Sequence, residues 1–263
     1  MDRAKLLTAV REKQPLVHHL TNWVTIYDCA QLVKSLGASP VMAHAPEEAA
    51  EMASIASALV LNIGTLTTDF IESMKLAASA ANVRGVPVVL DACGAGATPY
   101  RDRMVVSLIE SVRIDIIKGN ASEIARVAGE SVKTRGVDAG AVRGDLAGIA
   151  VELSGERNCV VVITGKEDIV AGGGALFRIG NGHEMMSRVV GTGCMAASAI
   201  GTFAGVCPED LPGAAVEGLV CFEVAAELAV EEARGPGSFR ELLFDKLASL
   251  TEGEVSSMRK VSR

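Results

Sequence analysis

The run Gly191-Thr192-Gly193-Cys194, followed by the small-residue stretch MAASAIGTFAG, has the makings of an anion site. Glycines let backbone N–H groups turn toward a ligand, and the first N–H groups of a helix have no intrahelical acceptor. A helix opening here would aim unpaired donors at a phosphate in transfer, stabilising the charge that spreads over its oxygens. The plainer alternative is a tight turn that packs a helix against a sheet; the run is neither a G-x-G-x-x-G fingerprint nor a Walker A loop. Cys194 stands where the turn enters the helix, a position that lowers a thiol pKa. The other five cysteines, at 29, 93, 159, 207 and 221, show no paired spacing and read as buried structural thiols.

A second cluster is acidic. Gly119-Asn120-Ala121-Ser122-Glu123 directly follows the apolar run IDIIK, which places Glu123 in the first turn of a helix at a strand's end. With Asp91 it could hold Mg²⁺ through water, or it could simply complement the helix dipole. The histidines, His18, His19, His44 and His183, have no H-x-x-x-H spacing, and adjacent residues on a strand point to opposite faces. A Cys194-His hydrolase is an alternative, because such partners need not be close in sequence. Paired Asp91 and Glu123 fit Mg²⁺-nucleotide chemistry better.

These residues need a frame, and the sequence supplies one. PLVHHLTN, ASPVMAH, SALVLNIGT, VPVVLDACG, IDIIKGN and NCVVVITG read as strands, and PEEAAEMASIAS, TTDFIESMKLAASAANVRG and ASEIARVAGE between them read as helices. That alternation predicts a parallel sheet with crossover helices. The strands carry polar tails at 18–22, 62–65, 91–98, 118–123 and 164–168, so one rim of the sheet gathers the candidate chemistry, where ligands of open parallel sheets bind. Residues 169–184 read as a β-hairpin turning at Asn181-Gly182. From Pro208 onward two further helices are expected, with their carboxylates on a solvated surface.

Composition agrees. With 263 residues and no Pro/Gly/Ser-rich linker or repeat, a single α/β domain over residues 1–263 is expected. Apolar residues make up 49% but aromatics only 3%, so the core must be small and aliphatic, which suits parallel strands covered on both faces. A net charge of −7 argues against nucleic-acid or anionic-membrane partners. The start, MDRAKLLTAVREKQ, is charged and amphipathic and does not read as a signal peptide, and no apolar stretch of spanning length is uninterrupted by Gly or charge. A cytoplasmic protein with reduced thiols is expected.

Taken in order, N-A-S-E after a strand, I-T-G-x-x-D ending at Asp168, and G-T-G-C ending at Cys194 resemble the hydroxyethylthiazole kinase family of the ribokinase-like superfamily. The resemblance covers most of the chain. It implies a three-layer sandwich with a mainly parallel central sheet, and ATP- and Mg²⁺-dependent phosphorylation of the hydroxyl of 4-methyl-5-(2-hydroxyethyl)thiazole in thiamine salvage. It further implies that Gly191, Thr192, Gly193 and Cys194 form the catalytic turn, Cys194 standing where the wider superfamily has Asp. Lys118, in place of the family's Arg, and Thr164 would contact ATP phosphates, and Asp91 and Glu123 would serve the metal. Asn22, Val24, Met42 and Gly64, with Gly191, would line the thiazole pocket. Ala92 departs from the family's Asp-Pro. No lid segment is evident, and a homotrimer that completes each pocket with a neighbouring chain is implied. A related-fold kinase for pyridoxal, a pyrimidine alcohol or a sugar is the alternative within the fold, and a non-catalytic ligand sensor the alternative outside catalysis.

Overall fold

The structure, a computed structural model, describes residues 5–129 and 145–263. Residues 1–4 of the amphipathic start and Glu130 of the helix expected at 121–130 lie outside them. Six β-rich runs form parallel strands: β1 (Leu16–Leu20), β2 (Ser39–Val41), β3 (Ala58–Asn62), β4 (Val88–Asp91), β5 (Ile116–Asn120) and β6 (Val160–Thr164). Antiparallel β7 (Asp168–Gly172), β8 (Ala175–Ile179) and β9 (Val261–Ser262) extend the sheet in the order β2-β1-β3-β4-β5-β6-β7-β8-β9.

The early helices are α1 (Leu6–Lys13), α2 (Ile26–Ser35), α3 (Pro46–Ile55), α4 (Thr68–Arg84), α5 (Pro99–Ser111), α6 (Ala121–Val127) and α7 (Leu146–Arg157). Four more, α8 (Thr192–Ala204), α9 (Leu211–Glu232), α10 (Pro236–Ser249) and α11 (Glu252–Met258), close the chain. Strand alternation sorts the core into two layers. Val17, Val60, Val89, Ile116 and Val162 pack toward α8 and α9, while Leu59, Leu61, Leu90, Ile117 and Val161 pack toward α4, α5 and α7. The result is the expected three-layer sandwich. Among the described residues no helix is long and apolar enough to cross a membrane.

Three expectations are corrected. The hairpin turns at Gly173-Gly174, both at positive φ, where a two-residue turn matches strand twist; Asn181 instead accepts from Lys260 N at 2.8 Å and donates to Met258 O at 2.8 Å, fastening the C-terminal strand. After Pro208 there are three helices, because Thr251 and Glu254 form a capping box that restarts the chain as α11. Not all carboxylates there are solvated: Glu217 and Glu223 are buried, Glu217 in a two-pronged pair with Arg259 at 2.6 and 2.8 Å.

Candidate functional site

Three adjacent strands end on polar residues in register. Asn62 of β3 lies opposite Asp91 of β4, and Asp91 opposite Lys118 of β5. Each follows by two residues an apolar side chain, Val60, Val89 or Ile116, of the layer that contains α8. Alternation therefore sends all three to the α8 side of the sheet, under the first turn of that helix.

Cys194 closes the group from above. Its sulfur accepts from Asn22 Nδ2 at 3.2 Å and from Asn62 Nδ2 at 3.3 Å. The same Asn62 amide donates to Asp91 Oδ2 at 2.6 Å, and Lys118 Nζ lies 3.1 Å from Asp91 Oδ1. A hydrogen bond from the Cys93 thiol is the largest influence on Cys194 and, helped by Lys118 against burial and Asp91, brings its thiol down to about 7. The same contact pushes Cys93 far up. Of the five thiols read as buried and structural, Cys93 is the exception: it is half-buried, and Cys194 is the largest influence on it.

Burial opposes the charge on Lys118, but Asp91 and Glu123 overcome it and push its pKa up, leaving a secure ammonium. Burial pushes both Asp91 and Glu123 up, with Lys118 opposing in each case. A Cβ added at Gly193 would lie 3.3 Å from Lys118 Nζ, which sets the cation directly beneath the α8 turn. The first intrahelical bond there runs from Met195 N to Gly191 O at 2.8 Å, so the N–H groups of Gly193 and Cys194 precede the helical ladder and suit an anion. Gly191 has φ +94, and a Cβ on it would come 2.5 Å from Thr25 Cγ2; the turn requires glycine on both counts. Thr192 spends its hydroxyl on Met186 O at 3.0 Å and holds the preceding segment.

Glu123 is a capping residue. Its Oε2 accepts from Asn120 N and its Oε1 from Gly94 N, each at 2.7 Å, while Asn120 Oδ1 caps the helix in return. The first oxygen contacts of both carboxylates are thus internal, yet each oxygen has a second lone pair. That donor set fits the water shell of a hydrated Mg²⁺ better than direct ligation. No group of three metal-ligating side chains occurs among the described residues. Thr164, at the end of β6, reaches Gly119 O at only 3.4 Å, a long contact that leaves the hydroxyl easily redirected.

The acceptor-side residues come together on the β1 and β3 ends. Asn22 Oδ1 accepts from Val24 N, Thr25 N and Thr25 Oγ1, all at 3.1 Å, which fixes its amide toward Asn62 and Cys194. A Cβ on Gly64 would meet Asn62 Oδ1 at 2.9 Å and Asn22 Cβ at 3.1 Å, so only glycine lets this loop close over the two amides. Val24 is 67% exposed and Met42 half-buried. His18 Nε2 donates to Ala43 O at 2.6 Å, anchoring the loop that carries Met42. His19 Nε2 pairs with Ser198 at 3.0 Å. His44 and His183 bond Met42 O and Met185 N, so among the described residues no histidine is hydrogen-bonded to Cys194 and the Cys-His pair of a hydrolase does not form.

Residues 7–253 match the hydroxyethylthiazole kinase family. This chain belongs to that family. It is 54% identical over 255 residues to the hydroxyethylthiazole kinase of Methanosarcina mazei, covering 97% of each protein. A solved hydroxyethylthiazole kinase structure from Pyrococcus horikoshii superposes with TM-score 0.88 at 39% identity, covering 99% of this chain and 98% of the other. A ribokinase-like superfamily protein from Enterococcus faecalis, 11% identical, has TM-score 0.66 over 96% of each chain and shows the shared fold.

Membership makes the chain a kinase that uses ATP as co-substrate. Asn62, expected only as part of the polar rim, and Cys93, expected to be a structural thiol, join the site. Asn62 had a signal, since it is the one polar residue closing an otherwise apolar strand, ALVLN. Cys93 had none; only the approach of α8 to the loop after β4 sets it beside Cys194.

Proposed function

We propose that this kinase transfers the γ-phosphoryl group of ATP to the hydroxyl of 4-methyl-5-(2-hydroxyethyl)thiazole, a step of thiamine salvage. The observation that carries the reading is Cys194 Sγ, held at 3.2 and 3.3 Å by the amides of Asn22 and Asn62 at the first turn of α8. A sulfur fixed there can accept a hydrogen bond from an alcohol aimed at the phosphoryl group. Asn22, Val24, Met42 and Gly64 line the side from which that alcohol arrives, and the thioether of Met42 offers a polarizable wall to a sulfur heterocycle.

The N–H groups of Gly193 and Cys194 and the ammonium of Lys118 receive the charge that develops on the transferring oxygens. Lys118 does so as a point charge, without the bidentate fork of an arginine. Thr164 contacts the nucleotide phosphates. Asp91 and Glu123 would hold a hydrated Mg²⁺, which would supply positive charge to offset that of the phosphates. Cys194 chiefly orients the acceptor: an alcohol is far less acidic than a thiol, and proton loss is late in a loose phosphoryl transfer.

Exposed Trp23, Val24 and Tyr27 flank Asn22, at 50, 67 and 67%, and support a homotrimer in which a neighbouring chain completes the pocket. Val24→Asp is then expected to shift the mass measured by light scattering from trimer to monomer and to raise the thiazole KM. Six free thiols support a reducing compartment, the cytoplasm. The deciding experiment is product analysis after incubation with Mg²⁺-ATP and a panel of alcohols. The thiazole should be phosphorylated in preference to pyridoxal, a hydroxymethylpyrimidine and ribose; efficient turnover of any of these with none of the thiazole would overturn the substrate.

A further inference from the structure

We infer that Asn62 is a positioning residue that locks the Cys194 sulfur in place relative to Asp91. An asparagine amide has two N–H donors and two acceptor lone pairs, and all four are engaged here. Nδ2 donates to Asp91 Oδ2 at 2.6 Å and to Cys194 Sγ at 3.3 Å. Oδ1 accepts from Asn22 Nδ2 at 3.0 Å and from Gly64 N at 2.8 Å.

The arrangement permits no flip, since turning the amide would set its oxygen against the Asp91 carboxylate and its NH₂ against two donors. Asn62 is 1% exposed, so no water substitutes for a lost partner at low cost. It is also the junction between two halves of the site. On one side stand Asn22, Gly64 and Cys194, which face the acceptor; on the other stands Asp91 with Lys118. Asn62 contacts both, and its position at the end of β3 fixes the distance between them.

The functional part of this inference rests on the phosphotransfer reading; its structural part does not, and the test separates them. The first measurement is steady-state kinetics of Asn62→Ala, alone and in the Cys194→Ala background. Small displacements of positioning groups cost up to about 100-fold, so kcat for Asn62→Ala should fall by roughly 30- to 100-fold, with the ATP KM changed by less than about threefold. In the Cys194→Ala background the same change should cost less than about a third of that factor, because there is no sulfur left to position. Equal factors in both backgrounds, or a kcat within about threefold of wild type, would overturn the inference. Thermal melts identify a variant that fails to fold; in that event Asn62→Ser, which keeps one hydroxyl donor, is carried through the same cycle and held to the same outcomes.

The second measurement is a pair of crystal structures, wild type and the folded Asn62 variant. The inference expects Cys194 to change rotamer or lose its contact to Asn22 while the α8 backbone stays in place. A sulfur that keeps its position overturns the inference whether or not the thiazole is a substrate. Absence of thiazole turnover in wild type, with the sulfur displaced in the variant, would instead count against the substrate alone.

Discussion

Lys118 Nζ stands 3.1 Å from Asp91 Oδ1, with the two side chains 4 and 1% exposed. So complete a removal of both charges from water makes each depend on the other. Removing one partner of a buried pair costs about 3–5 kcal/mol, more than the pair itself is worth against an apolar replacement. Lys118→Met should therefore lower the melting temperature by about 10 °C and abolish turnover. Adding Asp91→Asn should restore most of the stability and none of the activity. Differential scanning fluorimetry and a coupled ATP assay read the two effects apart; recovery of activity in the double variant would show that the pair is only structural.

The two glycines of the turn should respond differently. Gly191→Ala forces a side chain into φ +94 and against Thr25, and should cost both stability, by more than about 1 kcal/mol, and turnover. Gly193 lies inside α8 at an ordinary helical φ, and its Cβ would face Lys118 Nζ. Gly193→Ala should keep the melting temperature within about 2 °C, since alanine suits a helix, and still raise the ATP KM by crowding the space above the ammonium. Melting curves paired with KM values check this, and an unaltered KM would remove Gly193 from the phosphate site.

Cys194 should titrate through about pH 7, well below an ordinary thiol, and Cys93 is the largest cause. Thiolate absorbance near 240 nm, compared between wild type and Cys194→Ser, should show that midpoint, and Cys93→Val should move it upward. The sign for stability follows: a depressed thiol favours the fold fully above its unfolded value, and that contribution is lost as pH falls through about 7. Cys194→Ser should keep turnover within about tenfold of wild type, because charge stabilisation outweighs early proton removal. Cys194→Asp should also be active, since the amides of Asn22 and Asn62 suit a carboxylate. Inactivity of both folded variants would make the thiol an obligatory base.

Burial, with Asp168 adding to it, pushes the Glu223 carboxyl up to about 11, and its Oε2 has no partner. Both influences favour the neutral acid, and Asp168 Oδ1 accepts from Gly165 N at 2.8 Å and so shapes the turn after Thr164. A carboxyl raised in the fold gives its full stabilisation below its unfolded value and loses it as pH rises toward the folded one. Glu223→Gln keeps the shape and stays neutral. Its melting temperature should match wild type near pH 5 and exceed it near pH 9 by about 3 °C or more. Equal pH profiles would mean that this acid is ionised in the native protein.

Local features were legible from the chain alone. Runs such as ALVLN and VVVIT alternate with helical stretches, so the layers and the polar rim were legible, because periodicities of two and 3.6 residues and the bias of glycine at turns need no distant partner. The turn at 191–194 was legible for the same reason. Tertiary structure decided which distant residues meet. Strand register set Asn62 beside Asp91 and Asp91 beside Lys118, and the seating of α8 over that row brought Cys194 onto Asn22, Asn62 and Cys93. Glu223 reads as one more acid on a surface helix until α9 packs it against the sheet, and Asn181-Gly182 reads as a hairpin turn until Gly173-Gly174 takes that place. Register across a crossover and the burial of a helix face are fixed by the packing of whole layers, and no short stretch of chain encodes them.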